Sequence, residues 1–96
     1  MEKKTNKYKL TLEQVSVRKD DATLSEPIVL EFENHDEIFN IIEVLRKKNL
    51  FNDENQSVEF AIGLKMFSEV MLKNKTNPLF ENFSPAFVEF MKKLKS

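Results

Sequence analysis

The chain has no cysteine and no tryptophan, and only one glycine, one histidine, one tyrosine and three prolines in 96 residues. Without cysteine there is no disulfide, no thiolate nucleophile and no cysteine-held metal, a pattern compatible with a reducing cytoplasm. The single glycine, Gly63, rules out a glycine-rich phosphate loop, which needs the backbone to approach its ligand closely. Scarce glycine and proline also leave little room for linkers or low-complexity tracts. Neither sign of charge is in surplus: 15 Lys and Arg stand against 16 Asp and Glu, for a formal charge of −1. Dedicated nucleic-acid binders show a marked basic excess, so that class is disfavoured. No window approaches the ~18 uninterrupted apolar residues of a membrane helix. Met1-Glu2-Lys3-Lys4 leads into polar sequence and not into the apolar core of a signal peptide. The expectation is one soluble, cytoplasmic domain spanning residues 1–96, with no membrane contact.

What the chain does have is phenylalanine, nine of them, within a composition that is 41% hydrophobic. Phenylalanine brings large apolar area without a polar atom to satisfy. A domain of this size buries roughly 60–70% of its extended surface, enough for one core with little margin. The most apolar stretch runs from Val58 to Leu72. At 100° per residue, Phe60, Leu64, Phe67 and Met71 share one face, and Ile62, Met66 and Val70 flank or oppose it. Lys65, Glu69 and Lys73, four apart, form its only polar strip. A helix this apolar is expected at the centre of the core, covered on several sides.

Ahead of it, residues 7 to 17 read as a strand. Tyr8, Leu10 and Leu12 alternate with Lys9, Thr11 and Glu13. Val15 and Val17 have the other parity, so a bulge at Glu13-Gln14 is expected to return them to the same face. Arg18 to Glu26 is a polar connection, and Ile28 to Glu33 is a second strand, with Pro27 at its start where no ladder bond is lost. The two pair as an antiparallel hairpin. Asn34 followed by Glu37 resembles a capping box, with His35, Asp36 and Glu37 in the first turn of a helix whose buried stripe is Ile38, Ile41, Ile42 and Leu45. Glu43 and Lys47 form an i,i+4 pair, and Asn49 is a stop. Asp53 and Gln56 cap the central helix, which should end near Asn74. Gly63 inside it costs ~1 kcal/mol relative to alanine, so a close crossing by another element is expected there. Asn77-Pro78 breaks the chain, Leu79 to Asn82 is a short turn, and Ser84-Pro85 opens a last helix with Phe83 and Val88 as a staple. Its apolar side is Phe87, Phe90, Met91 and Leu94. The fold class is α+β, an antiparallel β-hairpin followed by three helices (ββααα), with the central helix buried. Two strands alone are marginal in water. The sheet must lie on the helices or gain strands from a second copy, which points to a homodimer.

Chemistry-bearing clusters are few. His35, Asp36 and Glu37 join an imidazole to carboxylates, but neighbours on a helix diverge by 100° and paired ligands sit at i,i+3 or i,i+4. A capping turn accounts for them more simply, and a small enzyme or ligand binder using this turn is the rival reading. Asp20, Asp21 and Glu26 lack the alternating ligands and turn glycine of a calcium loop. No serine has a Gly-x-Ser-x-Gly context. No catalytic residue, cofactor or metal site is therefore assigned. Phe51, Phe80 and Phe83, in connecting segments, are candidate partner contacts, against the alternative that they seal the core. Lysines gather at both ends (Lys3, Lys4, Lys7, Lys9; Lys92, Lys93, Lys95), where weak nucleic-acid contact would have to occur.

Three blocks carry a resemblance. They are Glu33-Asn34-His35-Asp36-Glu37-Ile38-Phe39, the run Glu59 to Leu72 (EFAIGLKMFSEVML), and Asn77-Pro78-Leu79-Phe80 with Pro85-Ala86-Phe87. Together they resemble an uncharacterised bacterial family, domain of unknown function 3861, over roughly Lys7 to Lys95. The resemblance implies a small bacterial α+β protein. It brings no activity, cofactor or catalytic residue. The expectation for function is a non-enzymatic protein-interaction module with an unidentified protein partner.

Overall fold

The computed structural model describes residues 4–19 and 23–96. Strands β1 (Asn6–Leu12) and β2 (Ile28–Asn34) form an antiparallel two-stranded sheet. Helices α1 (Ile38–Lys48), α2 (Glu54–Lys73) and α3 (Phe83–Lys95) follow, with a 3-10 turn at Pro78–Phe80 before the last.

Alternation sets the sheet. Tyr8 faces Phe32, Leu10 faces Leu30 and Leu12 faces Ile28, so all six apolar side chains share one face. The other face pairs Lys7 with Glu33 and Lys9 with Glu31, opposite charges that favour this register. The expected bulge at Glu13-Gln14 does not form. β1 stops at Leu12, and Val15 is 87% exposed. The reason is that β2 begins at Ile28, opposite Leu12, and leaves Val15 no strand to pair with.

The helix starts differ from expectation in two places. Asn34 does not cap α1. Glu37 does, its carboxylate accepting from the Asn40 amide at 3.0 Å. His35 and Asp36 therefore precede the helix. The Ile38 amide, one of the unsatisfied donors of the first turn, reaches across to the Tyr8 hydroxyl at 2.9 Å. α3 begins at Phe83, and Ser84 is not its cap; the Ser84 hydroxyl donates to the Phe80 carbonyl at 2.9 Å. Glu81 and Asn82 are already right-handed helical, so the chain runs from the 3-10 turn into the helix without needing a new start. The Asp53 and Asn49 signals hold. Asp53 caps α2 through the Asn55 and Gln56 amides, and Asn49 ends α1 in the left-handed conformation at φ 53°. The acid of the expected Glu43–Lys47 pair turns instead to Arg46, at 2.9 Å, and Arg46 reaches on to Glu54 at the start of α2.

The core lies between α1 and α2. Ile38, Ile42 and Leu45 meet Ala61, which has no exposed surface, and Tyr8, Phe32, Val58, Phe60 and Leu94 pack around them. Ser57, Ala61 and Ser68 fall within 40° of one another on α2 and are all buried. The three form a buried small-residue seam along α2, with Ala61 against α1. Phe60 and Phe67, on one side of the seam, turn to α3, where they meet Phe90 and Phe87 edge-on at 6.2 and 6.3 Å. On the other side, α2 meets the end of the hairpin.

The fourth side of α2 is uncovered. Val70 is 53% exposed, and among the described residues no atom beyond the helix's own nearby backbone and the adjoining residues lies within 4 Å of where a Cβ on Gly63 would stand. The close crossing expected at Gly63 is therefore absent, and its backbone freedom is uncompensated. Gly63→Ala is expected to raise stability by about 0.5–1 kcal/mol. Thermal unfolding should show this as a rise of several degrees in Tm, and a fall would mean that an unseen neighbour occupies the space.

The chain is extended for its length. Its radius of gyration is 16.2 Å, against about 12.5 Å for a compact domain of this size. Its accessible surface is 8167 Å², against roughly 5,700 Å² for a folded monomer of this mass.

Candidate functional site

The histidine–carboxylate turn is built by the end of β2. Asn34 is buried; its side-chain oxygen accepts from the Asp36 amide, and its Nδ2 donates to the Lys65 carbonyl of α2, both at 3.0 Å. The turn then points three side chains at three partners. His35 Nδ1 stands 3.3 Å from the Glu69 carboxylate, Asp36 pairs with the Lys65 ammonium, and Glu37 caps α1. The imidazole side chain is 68% exposed, while that of Glu69 is 11% exposed. The three groups do not converge on a common point, and among the described residues no group of three His, Asp or Glu could hold a metal. The turn acts as a latch that joins hairpin to α2.

Lys65 and Glu69, two members of the polar strip of α2, are not left to solvent. Both are covered by the turn, which supplies an acid for the lysine and an imidazole for the glutamate. A helical wheel places charges outward because it cannot see that a segment of opposite charge lands on them. The clue in the sequence was the complementarity itself, His35-Asp36 against Lys65 and Glu69.

Phe51, Phe80 and Phe83 do not form one patch. Phe80 is buried against Phe67. Phe83 lies on Phe67 and Phe87, each at 5.8 Å, and Phe51 meets Phe60 edge-on at 5.3 Å. All three belong to one run of rings, Phe51-Phe60-Phe90-Phe87-Phe67, with Phe80 and Phe83 at its far end. The run seals α3 onto α2, although Phe51 and Phe83 remain about two-fifths exposed. Of the loop acids, Glu26 is exposed, and Asp20 and Asp21 lie outside the described residues.

An apolar groove lies elsewhere, between the end of α2 and α3. Met71, Leu72, Phe87, Val88 and Met91 line a groove of about 430 Å³, with Lys75, Lys92 and Lys95 among its lining residues. α3 leaves it open because none of its residues is fully buried. Lys92 also contacts Glu89 at 3.5 Å, an exposed pair. Sequence reasoning saw the apolar side of α3 and the terminal lysines but not the second wall, which depends on how α3 crosses α2. At the other end, Lys7 and Lys9 stand opposite glutamates in the sheet. The lysines of the two ends thus have different surroundings. No described helix is long and apolar enough to cross a membrane.

Comparisons with known proteins agree on the fold and stop there. The chain resembles a crystal structure of a protein of unknown function from Pectobacterium atrosepticum, with 33% identity, a TM-score of 0.80, and 94% of this chain and 95% of that one covered. No curated protein matches. The model of the family described as a domain of unknown function with a solved structure, DUF3861, matches residues 6–96. The chain therefore belongs to the DUF3861 family.

Proposed function

We propose that this chain is a small, non-enzymatic protein-interaction module of a bacterial cytoplasm, and that the α2–α3 groove receives the apolar side of an acidic segment of a partner protein. The groove carries the reading. Its floor of methionine, leucine, valine and phenylalanine suits an amphipathic helix, and methionine adapts to varied shapes. Its three lysines favour a partner with acids beside its apolar stripe. The turn at His35, Asp36 and Glu37 is spent on holding the fold together, which weighs against its use as a reaction centre.

The test uses the full chain, isotope-labelled, titrated in NMR with a designed leucine–glutamate amphipathic peptide and with its leucine–lysine counterpart. The acidic peptide is expected to shift signals of Leu72, Phe87, Val88 and Met91, and Lys92→Glu with Lys95→Glu should weaken it about tenfold or more. Equal binding of the basic peptide, or shifts confined to other surfaces, would contradict the proposal.

A further inference from the structure

The far half of the hairpin leaves much of its apolar face exposed. Tyr8 and Phe32, near the α1 end, stack at 5.5 Å and join the core. Two residues further out Leu30 is 43% exposed, and four residues out Leu12 is 64% and Ile28 60% exposed. These three lie on one face with Leu10, in register across the two strands. A two-stranded sheet is marginal in water without a layer against its apolar face, and here the helices supply that layer only at one end.

We infer that a second copy of this chain covers this face, forming a homodimer in which the outer halves of two hairpins pack against each other. The inference is separate from the groove reading and does not depend on it.

Surface area supports it first. The chain exposes roughly 2,400 Å² more than a folded monomer of its mass should, a sum over the whole chain to which this face contributes; a stable interface takes about 800 Å² from each partner. Charge supports the choice of occupant. Around a two-fold axis the same patch meets itself, so a charged patch would set like against like. This face carries Leu10, Leu12, Ile28 and Leu30 and no charged residue, while Lys7, Lys9, Glu31 and Glu33 stand on the opposite face, already matched across the strands. A partner selected by charge would find nothing here to select it, whereas an identical hairpin brings the matching apolar layer.

Sedimentation equilibrium of the full chain, from low micromolar to several hundred micromolar, should give twice the 11.3 kDa chain mass at the upper end. Leu30→Asp should weaken association at least 100-fold, and Thr11→Asp, on the opposite face, by no more than about threefold. Should Leu30→Asp fail to fold, a second measurement decides. The chain has no cysteine, so Thr11→Cys accepts a single nitroxide label on the outer face. Sheets packed about 10 Å apart would put two such labels roughly 20–35 Å apart between copies. A mass of one chain throughout, a dimer indifferent to Leu30→Asp, or no distance in that range would overturn the inference. A monomer that meets a different protein through Leu12 and Ile28 would overturn it as well.

Discussion

Leu45→Ala is expected to destabilise the chain by about 3 kcal/mol, within the range for leucine truncation in a tight core. Leu45 is 3% exposed and sits with Ile38, Ile42 and Ala61 where α1 meets α2. The loss combines the transfer of the missing methyl groups with the cavity left behind. For a domain of this length the change corresponds to a fall in Tm of roughly 15 °C. Val70→Ala on the same central helix should change stability by less than about 0.5 kcal/mol, since Val70 is 53% exposed. Denaturant unfolding of the two variants side by side measures the contrast. Equal losses would show that the uncovered side of α2 is in fact covered.

Asn34→Ala should cost about 2–3 kcal/mol. Two hydrogen bonds disappear together, one to the Asp36 amide and one from Nδ2 to the Lys65 carbonyl, and each is worth about 1 kcal/mol before the cost of leaving partly buried groups unpaired. The effect should exceed that of His35→Ala. The His35–Glu69 contact involves an imidazole that is 68% exposed, and its removal should cost no more than about 1 kcal/mol. Chemical denaturation gives both numbers. A larger loss at His35 than at Asn34 would mean that the ionic contact and not the buried amide holds the hairpin to the helix.

Much of this architecture is legible in the amino-acid order because it rests on period. The parity of Tyr8, Leu10 and Leu12 and of Ile28, Leu30 and Phe32 dictates which face is apolar, and the register follows once the strands pair. The Asp53 cap and the Asn49 stop are local chemistry, readable within a few residues. What escapes such reading depends on which segment lands where. Lys65 and Glu69 look solvated until the β2–α1 turn settles on them. Val15 looks inward-facing until β2 proves too short to pair with it. Ser57 and Ser68 carry no apolar signal, yet they are buried in the seam. The groove is half legible. Met91 and Phe87 belong to an evident stripe, but Met71 and Leu72 become its second wall only through the crossing of α2 and α3.

At the centre of the account is a division within one small protein. Helices α1 and α2, with Tyr8, Phe32 and Leu94 against them, form the core, while the outer hairpin leaves Leu12 and Ile28 more than half exposed. Amide hydrogen exchange, read by mass spectrometry on the full chain at low and at high protein concentration, separates the two. Residues 38–48 and 54–73 should be protected to the same degree at both concentrations. Residues 10–12 and 28–30 should exchange quickly in dilute solution and slow by tenfold or more in concentrated solution, as mass action fills the interface. Hairpin ends that are as protected as the helices in dilute solution, or that ignore concentration altogether, would contradict the account.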